Sequence, residues 1–138
     1  MTMKPTRGIR NKNPLNIRHS ASKWQGMCAE QTDREFVQFR SMAYGFRAAF
    51  KIIHTYMFKY GLCCVKQIIT RWAPPEDHND TARYIMMVCE TSHIEPEQML
   101  HWSNEAEMVY LVQAMAYVEC GCLIDGDSIR EGYRLAKL

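Results

Sequence analysis

Residues 104–122 read NEAEMVYLVQAMAYVECGC, and this stretch decides the class of fold that the sequence predicts. Asn104, followed three residues later by Glu107, forms the pattern of a capping box that opens an α-helix. Apolar side chains then recur at spacings of three and four residues, and Gly121 marks the expected end of the helix. The apolar stripe consists of Met108, Leu111, Val112 and Met115, and it continues to Glu119 and Cys122. The stretch therefore predicts a core helix whose inward face carries a carboxyl group.

The same periodicity predicts four further helices after residue 41. They are expected at 46–60, at 65–72, after a cap at Asn79 or Asp80, and after a capping box that opens at Ser128. Pro74 and Pro75 stop the second of these helices, because proline lacks the backbone donor that a helix needs.

The first 40 residues favour loops and two short strands. Residues 15–18 and 35–39 alternate apolar and polar side chains, as half-buried strands do. The sequence therefore predicts a mostly α-helical α+β fold with a small N-terminal β lobe, as one domain over residues 1–138.

Composition excludes several classes of protein. The chain has 138 residues, of which 47% are hydrophobic and 23% charged, which describes one globular domain. No run approaches the roughly 20 apolar residues of a membrane span, and no apolar signal segment follows the N-terminus. Without an export signal, the six cysteines are expected to be reduced thiols.

Charge is distributed unevenly along the chain. Six basic residues precede Glu30, and no acidic residue does: Lys4, Arg7, Arg10, Lys12, Arg18 and Lys23. Such a basic segment suits an anionic polymer, and the alternative is a solvated basic edge. The sequence pI of 8.2 lies below the value of about 9 that is typical of nucleic-acid binders, so nucleic acid is an unfavoured partner.

Glu119 is the residue that points to chemistry. Carboxylates are rarely buried without a partner or a purpose, and both burial and the helix C-terminus raise a carboxyl pKa. A carboxyl that stays protonated near neutral pH can protonate a departing glycosidic oxygen. The alternative is a structural ion pair between Glu119 and a buried arginine such as Arg47 or Arg71.

Two stretches resemble known enzymes. Residues 114–121, AMAYVECG, resemble the A-x-x-x-x-E-[S/N]-G pattern that ends the catalytic helix of lytic transglycosylases and other lysozyme-like muramidases, with Cys120 at the Ser/Asn position. Residues 7–18, RGIRNKNPLNIR, with Trp24-Gln25-Gly26, resemble the opening of phage virion-associated lysozyme-like proteins. Segments 31–39, 44–48 and 71–75 fit the same family in order.

The order of these motifs is unusual. In familiar lysozyme-like enzymes the helix with the catalytic glutamate precedes the β lobe, whereas here the N-P-L-N-I-R element lies near the N-terminus and Glu119 lies near the C-terminus. The resemblance therefore implies a circularly permuted lysozyme-like fold. Permutation is tolerated when chain termini lie close together at the surface.

The resemblance implies a peptidoglycan-cleaving glycosidase, either a muramidase or a lytic transglycosylase, with Glu119 as general acid. A hydrolase would use a second carboxylate, for which Asp33 is favoured over Glu30 and Glu35. A transglycosylase would use Glu119 alone. Residues expected to contact the glycan through stacking or hydrogen bonds are Asn13, Asn16, Trp24, Gln38 and Tyr44.

Partners and location follow from the same resemblance. The expected partner is the peptidoglycan glycan strand, with other virion or secretion-apparatus proteins as further partners. The protein would be made in a bacterial cytoplasm without a signal peptide and reach the wall in a virion or by another delivery route. The alternative function is a catalytically inactive phage structural protein with a lysozyme-like fold. No cofactor or metal is expected, because the cysteines and histidines lack metal-ligand spacing.

Overall fold

The computed structural model describes residues 5–138, and within this range most of the ordered backbone is helical. The α-helices, in chain order, are α1 Arg7–Arg10, α2 Met42–Phe58, α3 Val65–Trp72, α4 Thr81–Ser92, α5 Glu105–Cys120 and α6 Gly126–Ala136. A 3-10 turn, Pro75–Asp77, joins α3 to α4.

Side-chain caps set the starts of four helices. Ser41, Asp80, Asn104 and Asp125 each accept a hydrogen bond from a backbone N–H in the first turn that follows. The bounds predicted for α3, and the caps predicted for α4 and α5, are confirmed. The predicted start of α6 at Ser128 is wrong, because Asp125 caps the helix and begins it earlier.

The core lies between α5 and the helices around it. Met108, Leu111, Val112 and Met115 of α5 are fully buried, as the apolar stripe predicts. Helix α4 packs against α5, and α6 runs along α2. At the α2–α6 crossing, Gly132 lies so close to α2 that a Cβ there would stand 2.5 Å from the Cβ of Phe46. The bundle therefore depends on close backbone approach as well as on apolar burial.

The prediction of an α+β fold with an N-terminal β lobe is wrong, and the fold is mainly α. Residues 5–138 contain no sheet, and the only strand-like pairings described in them are two isolated bridges, Arg18–Phe36 and Met27–Phe39. Residues 11–41 instead run as irregular chain against the helices. The fold is thus corrected from a permuted lysozyme-like α+β domain to a mainly α domain.

Side-chain amides explain why the alternating segments do not form strands. The Nδ2 of Asn13 donates to the carbonyl oxygens of Ile17 and Val37, each at 2.9 Å, and its Oδ1 accepts from the Ile17 N–H. Gln31 likewise binds both the N–H and the carbonyl oxygen of Gln38. Backbone pairing is confined to short stretches, in which the Val37 N–H donates to the Ile17 carbonyl oxygen at 3.0 Å and the His19 N–H donates to that of Glu35 at 3.1 Å. The side-chain amides supply further partners for the backbone beside these bonds, which meets the need for buried partners without a sheet.

No helix among residues 5–138 combines the length and the apolar character needed to cross a bilayer. Lys4, one of the basic residues counted in the N-terminal segment, lies outside the described residues.

Candidate active site

A groove of about 950 Å³ crosses the molecule where the irregular N-terminal segment meets the helices. Asn16 and Trp24 line it from that segment, Lys51 from α2, Trp72 from α3, and Glu119 from the end of α5. The groove therefore gathers residues from both ends of the chain around one carboxyl group.

Three neutral side chains donate hydrogen bonds to the Glu119 carboxylate. Tyr84 Oη donates to Oε2 at 2.9 Å, and Trp72 Nε1 donates to the same oxygen at 3.3 Å. Asn16 Nδ2 donates to Oε1 at 3.3 Å and also lies 3.4 Å from the Glu119 carbonyl oxygen. Helices α3 and α4 and the N-terminal segment thus each orient the carboxyl group.

Burial raises the pKa of Glu119 above its usual value of 4.5. The hydrogen bonds from Tyr84, Asn16 and Trp72 act in the opposite direction, because they stabilise the charged form, but they do not outweigh the loss of solvation. Within residues 5–138, no arginine, lysine or histidine forms a salt bridge with Glu119. The ion pair with Arg47 or Arg71 that the alternative interpretation requires is therefore not formed among the described residues.

Tyr84 remains a hydrogen-bond donor at all ordinary pH values. Burial, together with the nearby Glu119 carboxylate, raises the pKa of its phenol well above 10.0. Tyr84 is positioned by the start of α4, because Asp80, one turn before it, caps the helix and its carboxylate accepts a hydrogen bond from the Arg83 N–H. Tyr84 can therefore hold Glu119 in one orientation in either protonation state of the carboxyl group.

Asn16 reaches Glu119 because its backbone is in the left-handed region, with φ of 54°. Asparagine tolerates this conformation better than most residues. Its Oδ1 has no hydrogen-bond partner in the described structure and lies over Gly8, where a Cβ would stand 3.0 Å from it. The turn after α1 and the small residue at position 8 thus present the Asn16 amide to the carboxylate.

Asp33 is held away from the groove wall. Arg7 binds it through Nε at 2.7 Å and Nη2 at 2.6 Å, and Asn11 Nδ2 donates to it at 2.9 Å. The Arg7 guanidinium and the Glu35 and Phe36 N–H groups hold the pKa of Asp33 far below its usual value. The structure therefore does not bring Asp33 together with Glu119, and Asp33 braces the N-terminal segment as a charged group.

The other predicted contact residues divide into two groups. Asn16 and Trp24 line the groove. Asn13 is fully buried in the amide network, and Gln38 accepts from the Thr32 N–H at 2.6 Å within that same segment. Tyr44 packs over Gly26, where a Cβ would meet its ring at 2.2 Å. Asn13, Gln38 and Tyr44 are therefore positioned as structural residues outside the groove wall.

Comparison with known proteins gives one informative relative. The chain is 37% identical over 131 residues to a protein named Protein P5 of Pseudoalteromonas phage PM2. The matched region covers 92% of this chain and 79% of the phage protein. The chain belongs to the family of phage PM2 protein P5. No family model matches the sequence.

The sequence of this member of the P5 family does not predict that Tyr84 and Trp72 bind Glu119. The sequence predicts the helices that carry Tyr84 and Trp72, but it assigns neither side chain a role at Glu119. Both stand at inward helical positions, where a polar tip on a large ring needs a partner. The buried carboxyl group at position 119 was the available signal, since its own partners must come from such neighbours.

Among residues 5–138, no group of three or more histidine, cysteine, aspartate or glutamate side chains is arranged to hold a metal ion. Glu119, which lines the groove and has a raised pKa, is a group that can transfer a proton there.

Proposed function

We propose that this chain is a peptidoglycan-cleaving glycosidase in which Glu119 is the general acid and base. The observation that carries the proposal is a half-buried glutamate in a long groove, held by three neutral donors and with a raised pKa. The sequence around it resembles the catalytic-glutamate motif of lytic transglycosylases and lysozyme-like muramidases. A protonated carboxyl group that lines an open groove of about 950 Å³ suits the protonation of a glycosidic oxygen.

The reaction begins with protonated Glu119. Its proton passes to the glycosidic oxygen as the bond from that oxygen to C1 of N-acetylmuramic acid breaks, which leaves positive charge on the sugar and a carboxylate on Glu119. The carboxylate then accepts the proton of an attacking hydroxyl group as its oxygen bonds to C1. Tyr84, Trp72 and Asn16 stabilise the carboxylate between these steps, because each donates to it.

The attacking hydroxyl group is proposed to be the C6 hydroxyl of the same sugar, which makes the product a 1,6-anhydro sugar. A hydrolase would use a second carboxylate near the cleaved bond. In the described residues the groove wall carries one carboxylate besides Glu119, the exposed Asp77 on the 3-10 turn, and Asp33 is bound by Arg7. A single-glutamate mechanism therefore fits the groove better.

Membership of a phage protein family favours a route to the wall in a virion. A wall-cutting protein carried in a virion meets peptidoglycan at entry. We therefore propose that this chain acts as part of a phage particle, beside other virion proteins.

The test is digestion of purified peptidoglycan with the wild type and with Glu119→Gln, followed by mass spectrometry of the released fragments. The expected result is that Glu119→Gln lowers the rate by about 10²–10⁴-fold, the usual contribution of a positioned general acid. Glu90→Gln, an exposed change on α4, is the matched control and should leave the rate unchanged.

The products decide between the two mechanisms. Anhydro ends, one water lighter than hydrolysed ends, support transglycosylation. Hydrolysed ends that disappear in Asp77→Asn would assign Asp77 as the second carboxylate and overturn the single-glutamate mechanism. Equal digestion by wild type and Glu119→Gln excludes Glu119, and no digestion by the wild type favours a structural phage protein.

A further inference from the structure

Two cations on the helical side of the groove have no counterion in the described structure. Lys51 of α2 and Arg71 of α3 both line the groove, and neither forms a salt bridge with a carboxylate within residues 5–138. Arg18, on the other side of the groove, differs from them, because it pairs with Glu35 at 3.2 Å. The free positive charge of the groove therefore comes from α2 and α3.

The Arg71 side chain is fixed in place by aromatic rings. Its guanidinium lies 3.8 Å from the ring centroid of Tyr60 and 5.3 Å from that of Tyr56. Stacking of this kind occupies the face of the guanidinium, and the N–H groups at its edge stay available for a planar acceptor such as a carboxylate. A preorganised donor fork costs less side-chain entropy on binding than a free one.

The two cations line the same groove as the proposed reaction centre. Arg71 precedes Trp72, whose Nε1 donates to Glu119 at 3.3 Å. Lys51 stands four residues before Thr55 on α2, so both occupy one face of the helix, and both line the groove. Because Lys51, Arg71 and Glu119 line the same groove, a strand that fills the groove with its cleaved bond at Glu119 can reach both cations.

We propose that Lys51 and Arg71 form a carboxylate-binding wall that recognises acidic branches on the glycan strand. This inference rests on the proposed function and names the class of substrate. On each muramic acid of peptidoglycan the carboxylate comes from one of two sources: the attached peptide, whose amide bond uses the lactyl carboxyl, or the lactyl group itself where the peptide has been removed. Polymers of N-acetylglucosamine alone have the same backbone and no carboxylate, so the wall would select muramic-acid strands over them.

The test measures binding to Glu119→Gln, which leaves each ligand intact, by isothermal titration calorimetry. Three tetrasaccharides are compared: a muramic-acid strand with its peptides, the same strand stripped of peptides by an amidase, and chitotetraose. Lys51→Gln with Arg71→Gln should weaken binding of the carboxylate ligands roughly three- to thirtyfold, as expected for two exposed ion pairs, and leave chitotetraose unchanged. Lys66→Gln with Arg83→Gln removes the same charges outside the groove and is the matched control.

A salt titration of Glu119→Gln alone tests the inference without a groove variant. Raising NaCl from about 20 to 300 mM should weaken binding of the carboxylate ligands several-fold and spare chitotetraose, because salt screens ion pairs at the surface. A loss with the peptide-bearing strand only assigns the peptide carboxylates. A loss with the stripped strand only assigns the lactyl carboxylate, which is free only after the amidase has cut its amide bond to the peptide. A loss with both strands shows that the wall accepts either source.

Several results overturn the inference. One is that the Lys51 and Arg71 changes weaken the binding of all three ligands equally, or weaken the binding of none. The others are that the control pair of changes weakens binding of the carboxylate ligands as much, and that neither muramic-acid strand binds. The proposed function fails separately, through the absence of cleavage products from wild-type protein, because these binding measurements use a variant that is not expected to cut.

Discussion

At the scale of single residues, the environment of Glu119 balances two opposing effects on one proton. Burial favours the neutral carboxylic acid, whereas hydrogen bonds from Tyr84, Trp72 and Asn16 favour the carboxylate. A group that must first release a proton and then accept one benefits from this balance, since neither form is strongly excluded. Tyr84 makes the shortest of these hydrogen bonds, at 2.9 Å, and is therefore the residue whose removal is most informative.

Tyr84→Phe is expected to move the alkaline limb of the pH–rate profile to higher pH. The Tyr84 hydrogen bond lowers the pKa of Glu119, so its loss raises that pKa further and keeps the acid protonated at higher pH. The measurement is the rate of peptidoglycan digestion as a function of pH. Tyr110→Phe, an exposed tyrosine on the same helix as Glu119, is the control and should not move the limb. A limb that moves to lower pH would contradict the proposed role.

The sequence predicts Glu119 as the acid and Asn16 as a nearby contact residue, but it does not predict the other two donors to the carboxyl group. A carboxyl group on an apolar stripe is visible from periodicity alone, because helical spacing fixes which face it shares with Met115 and Val112. Tyr84 and Trp72 reach it from α4 and α3, and periodicity within one helix does not determine which side chains of other helices meet it. Asn13 and Gln38 show the converse error, since amides expected to bind sugar bind the backbone instead.

At the scale of the elements, close approach of α2 and α6 determines how the bundle packs. Gly132 is buried at the crossing, and a Cβ there would also lie 2.9 Å from the Ala43 carbonyl oxygen and the Arg47 nitrogen. Two of the three nearest atoms belong to the backbone of α2, so they cannot move aside as a side-chain end could. The sequence predicts a helix in this region, but the tight spacing depends on a residue with no side chain.

Gly132→Ala is therefore expected to lower the free energy of unfolding by about 1–3 kcal/mol, the usual cost of overpacking a core. Chemical denaturation followed by far-UV circular dichroism measures this change. Glu131→Ala, at the exposed neighbouring position, should stay within about 0.5 kcal/mol of the wild type. Equal free energies of unfolding for the two variants would contradict this prediction, because they would show that α2 and α6 can move apart to accept the added methyl group.

Helix caps were the most predictable elements and the N-terminal segment the least. Asp80 and Asn104 act within one turn of chain, so their effect can be read from local sequence. The alternating pattern at 15–18 and 35–39 is compatible with strands, but pairing depends on whether backbone groups find other partners. Here Asn13 and Gln31 supply those partners, which no period-2 pattern reveals.

At the scale of the whole molecule, the unpaired positive charge in the described part of the folded protein is distributed differently from the basic residues along the sequence. The basic N-terminal segment suggested a cationic surface for an anionic polymer, but Arg7 and Arg18 are paired with acidic residues of the following segment. The groove cations without a salt bridge in the described structure are Lys51 and Arg71, which composition did not distinguish. Within the groove, the positive charge that lacks a salt bridge in the described residues therefore comes from the helices and not from the N-terminal segment.

Asp33→Asn is expected to lower the melting temperature at neutral pH and to leave the rate of peptidoglycan digestion close to wild type at low temperature. Asp33 binds Arg7, Asn11 and two backbone N–H groups, and it does not line the groove. Because its pKa is lowered on folding, its stabilising effect is complete above its usual value of 3.8 and is lost as pH falls from there toward the native value.

Thermal unfolding of wild type and Asp33→Asn between neutral pH and pH 2 measures this effect. The difference in melting temperature should be largest at neutral pH and shrink in acid. Asp127→Asn, an exposed carboxylate paired within one turn of α6, is the control and should show a smaller difference. A loss of digestion without a loss of stability would instead assign Asp33 to catalysis.

The hydrogen bond from Asn16 to Glu119 joins residues 103 positions apart in the sequence. Ribosomes make the N-terminal side of the groove first, together with the α2 and α3 walls, and supply the carboxylate only near the end of synthesis. A nascent chain that stops short of residue 119 lacks the carboxyl group to which the proposed proton transfer is assigned. The timing of translation therefore delays the proposed activity until almost the whole chain has been made.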